Sequence, residues 1–480
     1  VSLRVAALGL SALALAACVL PPRDPPPQTP LDQKDAGLSV APAPQIADNW
    51  WRAYHDPQFD ALIERSLAGN PTLAEAIARL HAAAATTAGA EAARYPDVTF
   101  DTQEVRQRFS GNDIIPPPFG RGVYWRGDLA ANLSWDIDFW GRQAALVAQA
   151  QDRAAAAQLD IAAARLALTS TIAQAYADLD HAYILGDIAD RTITQRQHVL
   201  DITRERVAGG LDTAVEQREA EGALAQAHVD SEQAANARAI AVHQLAQLAG
   251  LGADAYAGIT RPRIAADAVL PLPSSLPADL LGRRPDILAA RLRVDAALAG
   301  RKSAKAAFYP DISLTAFAGY AAIGVDQLFR YSSFNYGVGP ALHLPLFDAG
   351  RLRAQYRAAG ADIDAAVAQY DETLLQAVQQ TADALSNVAS LQQQRRDEQS
   401  ALGDAAAAYD LAVERYRAGL TGYLTVLTAQ TDLLTAQRAV ADIAAAQFAD
   451  RIRLLIAVGG SFDAGPAHTS QAVPSSENTP

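Results

Sequence analysis

Two stretches of this chain interrupt long helical patterns in the same way: ERVAGGLDTAVEQREAE, from Glu205 to Glu221, and ERYRAGLTGYLTVLTAQ, from Glu414 to Gln430. Superposing them pairs Leu211 with Leu420, an offset of 209 (420 − 211). The same offset pairs Gly141-Arg142 with Gly350-Arg351 and Gly250 with Gly459. Upstream, Tyr95-Pro96-Asp97 pairs with Tyr309-Pro310-Asp311 and Asn70-Pro71 with Arg284-Pro285, both at 214. One indel of five residues therefore relates two halves. A period this long is far beyond any solenoid repeat, so the chain is one unit built twice.

Each unit has the same element order. A helix comes first, over 59–94 and again over 278–307. A pair of strands follows. In DLAANLSWDIDF, Leu129, Ala131, Leu133, Trp135, Ile137 and Phe139 share one face, while Asp128, Asn132, Ser134, Asp136 and Asp138 share the other. FNYGVGPALHLPL repeats the alternation through Phe334, Tyr336, Val338, Leu342, Leu344 and Leu346. A period of two marks a strand with two unlike faces. Their partners fall near 98–109 and 312–320. Next comes a helix over 142–208, and its copy from Arg351 to about residue 417, each about 100 Å long at 1.5 Å per residue. In the second copy Leu352, Tyr356, Ile363, Val367, Tyr370, Leu374, Val378, Leu385 and Val388 trace a coiled-coil-like seam. A shorter helix then returns to about 250 or 457. The Gly-Leu breaks are hairpin tips, at the end of each hairpin furthest from the strands. Gly209-Gly210 and Gly419 end the outgoing helices, where the left-handed conformation costs glycine little. Asp212 or Thr213, and Thr421, are positioned to cap the returning ones.

The net charge of −13 argues against a nucleic-acid binder, which needs a basic face. The single cysteine rules out an internal disulfide. It closes VSLRVAALGLSALALAAC, in which Arg4 precedes an apolar run too short to span a membrane. Leu15-Ala16-Ala17-Cys18 resembles a bacterial lipobox, which implies cleavage before Cys18 and its lipidation; the alternative is an ordinary signal peptide that contains a cysteine. Val19 is not the aspartate that retains many such lipoproteins at the inner membrane, which favours the outer one. The absence of methionine leaves open whether Val1 is a start codon read literally. The expected organisation is a signal peptide at 1–17, a proline-rich lipid-anchored linker at 18–48, the first repeat at 49–252, a linker at 253–276, the second repeat at 277–460 and a polar tail at 461–480.

Four short strands are too few to close a barrel, which needs about eight. Open edges cannot face lipid, so strands in a membrane would have to be shared between chains, with the apolar face outward, the polar face on water and aromatic girdles at the two interfaces. A soluble sandwich with one packed face has the same alternation. The lipobox and the long helices favour the membrane.

At this point the chain resembles the TolC family of bacterial outer-membrane efflux proteins. WWRAYHDPQFDALIERSLAGNPTL, LLGRRPDILAARLRV, DFWGR, LFDAGR and RYRAGLTGYLTVLTAQ match its lipoprotein branch, and the likeness runs from Trp50 to Gly459. The resemblance implies a mainly α fold with a shared 12-stranded transmembrane β-barrel and an α-helical tunnel, assembled as a homotrimer. It implies a passive duct for solutes handed over by an inner-membrane pump and a periplasmic adaptor, which meets the tips at Gly210, Leu211, Gly419, Leu420 and Thr421. It also implies a periplasmic gate at the start of the returning helices. There Thr425 and Thr428 stand where relatives often carry aspartate, and the acids are in the first tip, at Asp212 and Glu216, with Glu219 beyond. Arg291 departs from the glutamate common in relatives, which puts one local contact in doubt.

No catalytic or cofactor motif is present. The histidines form no metal-binding pair on a helix, and no phosphate-cradling loop or nucleophile elbow occurs. The reading is therefore not an enzyme, with no cofactor and no metal. A lipid-anchored coiled-coil adhesin or envelope-spanning structural lipoprotein would account for the helices but not for a duplicated strand pair.

Overall fold

A computed structural model describes residues 28–31, 46–112, 119–265, 271–273 and 283–462. The expected signal peptide with Cys18, and the tail beyond 462, lie outside the described residues. Among those residues the order is α1 (Pro57–Gly69), α2 (Pro71–Ala92), β1 (Asp97–Arg108), β2 (Val123–Ile137), α3 (Arg142–Ala208), α4 (Ala214–Leu248), α5 (Pro285–Ala306), β3 (Asp311–Ile323), β4 (Phe334–His343), α6 (Arg351–Arg417) and α7 (Tyr423–Ala457). The duplication is carried into the elements. The α2/α5 pair has 22 residues each, α3/α6 67 and α4/α7 35. The segment expected as a linker after 252 begins with a short 3-10 helix, Ala253–Gly258.

The helix expected over 59–94 is two helices. Pro71 disfavours helical geometry at Asn70, which sits in extended backbone. The Asn70 side chain uses both ends: Oδ1 accepts from Thr72 N at 2.8 Å, and Nδ2 donates to Leu248 O at 2.9 Å. Its counterpart Arg284 does the second job with different chemistry. It donates from Nη1 to Ala457 O at 3.1 Å while Asp286 holds the guanidinium bidentately, at 2.6 and 3.1 Å. Leu248 and Ala457 are the last residues of the two returning helices, so each X-Pro corner satisfies a carbonyl the helix leaves unpaired. The approach is close. A Cβ at Gly250 would lie 2.9 Å from Gly69 O, and one at Gly459 2.1 Å from Arg283 O; both glycines are also left-handed. The second-repeat helix expected over 278–307 is described from Pro285 to Ala306, and residues 274–282 lie outside the described residues.

The chain forms two compact units, one built on Arg79–Ala157 and Ala289–Tyr370, the other on the described parts of Leu31–Ala78, Gln158–Leu288 and Asp371–Pro480. The first holds the sheet. Its order is β1-β2-β3-β4, antiparallel throughout, so the second strand of one repeat pairs with the first strand of the other. Arg291, also in this unit, faces Asp295 one turn on, at 3.9 Å.

The second unit holds the largest core. Trp50, Trp51, Tyr54 and Phe59 of the WWRAYHDPQFD motif pack against Tyr176, Leu179, Leu245 and Leu455. Phe59 stacks on Tyr176 with centroids 4.9 Å apart. Asp56 caps α1 through Gln58 N, and also accepts from Tyr176 Oη and Arg263 N, both at 2.7 Å. Burying this carboxylate is tolerable because its acceptor sites are filled.

The seam of α6 follows the expected residues through Leu374 and then departs. Ala377, Thr381 and Ala384 are buried, whereas Val378, Leu385 and Val388 are half-buried. The 3-4 spacing from Ile363 continues unbroken through these small residues, so the larger apolar residues beside it flank the contact line. Thr381 is accommodated by donating to Ala377 O and Ala457 O.

Candidate functional site

Two surfaces stand out, one in each unit. The first is a face of the sheet. Directly paired residues of antiparallel strands project to the same side, so the register aligns side chains in rows. Phe100, Ala131, Ala318 and Tyr336 form one row; Val98, Leu133, Ala316 and Val338 form the next. Rows with Trp135, Leu314 and Pro340, then Ile137, Ile312 and Leu342, continue it. The polar side carries Asp101 and Asn335, Thr99 and Asn132, and Ser134 and Thr315. From the Leu129 row to the Ile137 row the apolar face extends about 26 Å along the strands. Along the edge strands it is exposed: Tyr336 and Val338 are each 75% exposed and Leu342 69%, while Leu133, Trp135, Ile312 and Leu314 of the central strands are half-buried. Trp140 donates to Pro310 O at 2.8 Å and stacks on Tyr309 near one end of the strands, while Trp125, Tyr331 and Phe334 lie towards the other.

The second surface is the pair of hairpin tips. Both outgoing helices stop the same way. Leu211 N donates to Arg206 O and Gly210 N to Val207 O; Leu420 N donates to Arg415 O and Gly419 N to Tyr416 O. These are Schellman closures, and they need the left-handed residue that Gly210 (φ 70°) and Gly419 (φ 76°) supply.

The returning helices start differently. Thr213 caps α4 and forms a capping box with Glu216, whose carboxylate accepts from Thr213 N at 2.8 Å. The Thr213 hydroxyl, which also donates to this carboxylate, and then the backbone N–H groups hold Glu216 below its ordinary pKa. In the second repeat the cap is Gly422, with no side-chain bond, so the expected cap at Thr421 is corrected. Thr421 aligns with Asp212, one residue before the cap. Its hydroxyl instead donates to Thr425 Oγ1 at 2.9 Å, and Thr428 Oγ1 donates to Leu424 O.

Asp212 also precedes its helix, so the shared helix face expected for Asp212 and Glu216 does not form. Asp212 turns towards Arg206, which grips it from Nε (2.8 Å) and Nη2 (3.1 Å), and it accepts from Tyr416 Oη at 2.5 Å. Arg206 donates from Nη1 to Tyr416 O at 2.8 Å and lies over the Tyr416 ring, 4.5 Å from its centroid. Thr203 Oγ1 is 3.0 Å from the same hydroxyl. The Asp212 side chain is only 8% exposed. Arg206, more than Tyr416, holds its carboxyl below the usual range, against burial. Burial, reinforced by Asp212, pushes the Tyr416 phenol up to about 12. The sequence reading missed Arg206, Tyr416 and Thr203. Nothing local in the sequence announces a partner more than 200 residues away.

Around this knot four apolar side chains face solvent at equivalent positions of the two repeats: Leu211 and Leu420, Val215 and Leu424, each more than 60% exposed.

Comparison with known proteins gives a consistent picture. The profile of the outer membrane efflux protein family matches residues 62–251 and 276–460. The fusaric acid resistance protein FusA of Burkholderia cepacia is 38% identical over 68% of this chain and 63% of its own length, so that match falls short of two thirds of the relative. The multidrug resistance outer membrane protein MdtP of Escherichia coli K12 is 29% identical over 90% of each chain. The crystal structure of the outer membrane protein VceC from Vibrio cholerae superposes with a TM-score of 0.82, at 35% identity over 87% of this chain and all of that one.

Proposed function

Since this chain belongs to the outer membrane efflux protein family, whose profile covers both of its repeats, a non-enzymatic family of the outer membrane, we propose that three copies form the exit duct of a tripartite efflux system. The observation that carries the reading is the sheet. Among the described residues it has two open edges and a continuous apolar face, exposed along β1 and β4, and only neighbours and lipid satisfy both. Three four-stranded sheets supply twelve strands, a number at which barrels close around water. The apolar band matches the roughly 25 Å of an outer-membrane barrel, and the aromatic residues suit its two interfaces. The helical hairpins form the periplasmic tunnel, and Cys18 carries the lipid anchor.

The duct is passive, so an inner-membrane pump supplies the energy and a periplasmic adaptor joins the two. The adaptor contacts the tips at Gly210, Leu211, Gly419, Leu420 and Thr421, where the exposed leucines give an apolar surface. Glu216, Thr425 and Thr428 line the narrowed entrance, with Asp212 held behind them by Arg206.

The test is assembly and conduction together. Protein purified from outer membranes in detergent is expected to scatter light as three copies and to conduct ions in planar bilayers. A stable monomer that keeps its strand content contradicts the shared barrel. Leu342→Arg, on the outward face, is expected to cost about 2–4 kcal/mol near mid-bilayer. Leu420→Asp is expected to leave the trimer intact and abolish cross-linking to the adaptor.

A further inference from the structure

In the unit that holds the tips, a cavity of about 220 Å³ opens among Tyr54, α3, α6 and α7. Its floor contains a group the fold does not use. Tyr54 is 1% exposed, yet its hydroxyl has no hydrogen-bond partner among the described residues. The ring cannot swing away to find one, because Phe448 lies 4.8 Å and Phe59 6.1 Å from it, centroid to centroid. Native proteins seldom leave such a donor unmatched.

The neighbouring charges have a definite sign. Arg451 lines the cavity and makes no hydrogen bond or ion pair with any described residue, and its charge acts on the Tyr54 phenol. Arg395 enters from α6 and spends one donor on Gln447 Oε1, at 3.3 Å, leaving most of its fork free. Against these two guanidinium groups stand Asp180 and His181. His181 is engaged by Asp442 at 2.7 Å. Burial raises the Asp180 carboxyl, and Arg261 faces it from outside the cavity. Apart from Gln399 on α6, the remaining wall is apolar, with Ile184, Ile264, Val440 and Phe448. A concave apolar pocket with a few convergent polar groups is the general form of a small-molecule site.

We propose that this cavity binds a small amphipathic organic carboxylate, its anionic end held between Arg451 and the Tyr54 hydroxyl and its apolar body against Ile184, Ile264 and Phe448. Guanidinium and phenol both donate, and the pairing of guanidinium with carboxylate is the strong, geometrically matched one. The site does not depend on the duct reading. Tyr54 and α3 come from the first repeat and α6 and α7 from the second, so a bound carboxylate ties the two repeats together.

The experiment uses full-length purified protein and 4-(trifluoromethyl)benzoate, followed by fluorine NMR line broadening. Saturable binding is expected. Arg451→Gln is expected to weaken it at least about tenfold, the scale of one hydrogen bond to a charged group, and Tyr54→Phe to weaken it less. The isosteric benzamide and benzylamine are expected to bind at least about tenfold more weakly than the benzoate. Tyr54→Phe removes an unpartnered hydroxyl and keeps the packed ring, and serves if Arg451→Gln does not fold; Ile184→Trp, which fills the cavity, is expected to abolish binding. No saturable binding to the wild type, equal binding of the amine, or binding that survives Ile184→Trp overturns the proposal.

Discussion

The two hairpin tips have one backbone and two chemistries. Their Schellman closures, their left-handed glycines and the lengths of their flanking helices are the same. Yet Asp212, Thr213, Glu216 and Glu219 of the first tip correspond to Thr421, Gly422, Thr425 and Thr428 of the second. Arg206 and Arg415 are both present, but only Arg206 has an acid to hold; Arg415 is exposed. The contrast teaches that a turn's shape is set by the glycine and the helix ends, while side chains around it are free to diverge. It also shows that the second tip is not simply looser. Its Tyr416 supplies the hydroxyl and carbonyl that complete the first tip's ion pair, so one latch serves both hairpins.

The largest break in this comparison comes from removing the shared member. Tyr416 is fully buried among Tyr409, Tyr423, Val426 and Ile202. Tyr416→Ala is expected to cost about 3–5 kcal/mol, as for other buried aromatics. The corresponding residue of the first repeat, Val207, is half-buried, and Val207→Ala is expected to cost about 1 kcal/mol or less. Amide exchange should report the difference at both tips in Tyr416→Ala. Loosening of the second tip alone contradicts a common latch.

Next in size is the acid. Asp212→Ala leaves Arg206 without its charge partner in a mostly buried place, with an expected cost of about 2–3 kcal/mol. Thr421→Ala at the matching position is expected to stay within about 0.5 kcal/mol. The asymmetry extends to pH. Asp212 is held below its unfolded value of about 3.9, so its stabilisation is present above that value and is lost as pH falls through the folded pKa. Tyr416 is raised, so its contribution is present below about pH 10 and is lost as pH rises towards 12. Exchange at the first turn of α4 should therefore accelerate at both extremes, and Asp212→Asn should flatten the acid limb and weaken the alkaline one, because Asp212 also helps to raise Tyr416.

The fold was readable because it rests on periodicity and duplication. Alternation in the strands, glycines at fixed offsets and proline-free helices gave both long helices their observed ends. What escaped depended on partners distant in sequence. The split at Asn70 was masked by helix-forming residues on both sides, although Pro71 marked it. The α6 seam passed through alanine and threonine, which a search for large apolar residues overlooks. At the tips, Glu216 and Thr213 formed a local capping box, but the Arg206–Asp212–Tyr416 knot joins two repeats, and no short window contains it.

A smaller effect tests whether the first tip can be rebuilt in the second. Thr421→Asp places an acid six residues after Arg415, as Asp212 follows Arg206. The counterpart of the Tyr416 hydroxyl is absent there, because the aligned residue is Val207, and Arg415 is exposed. The gain is therefore expected to be that of a surface ion pair, about 0.2–1 kcal/mol, read as slower exchange at the start of α7. A gain as large as the loss in Asp212→Ala would mean the tyrosine contributes little to the first latch.

The smallest expected structural effect is at Glu216, where the two tips differ by one exposed carboxylate against the Thr425 hydroxyl. If three copies surround one entrance, Glu216 and Asp212 place six carboxylates there, and rings of acids favour cations. The two do not contribute alike. Asp212 is neutralised by Arg206 at 2.8 Å and turned inward, whereas Glu216 meets only the uncharged groups of its capping box and keeps its charge at the surface. The field at the entrance should then come mainly from Glu216. Glu216→Gln preserves one acceptor for Thr213 N, so the helix start should persist while the charge is lost. In bilayer recordings with a salt gradient, the reversal potential is expected to move towards zero in Glu216→Gln and to move less in Asp212→Asn. An unchanged potential in both variants would leave these acids with capping and latching alone, and the entrance would owe its selectivity to neither tip.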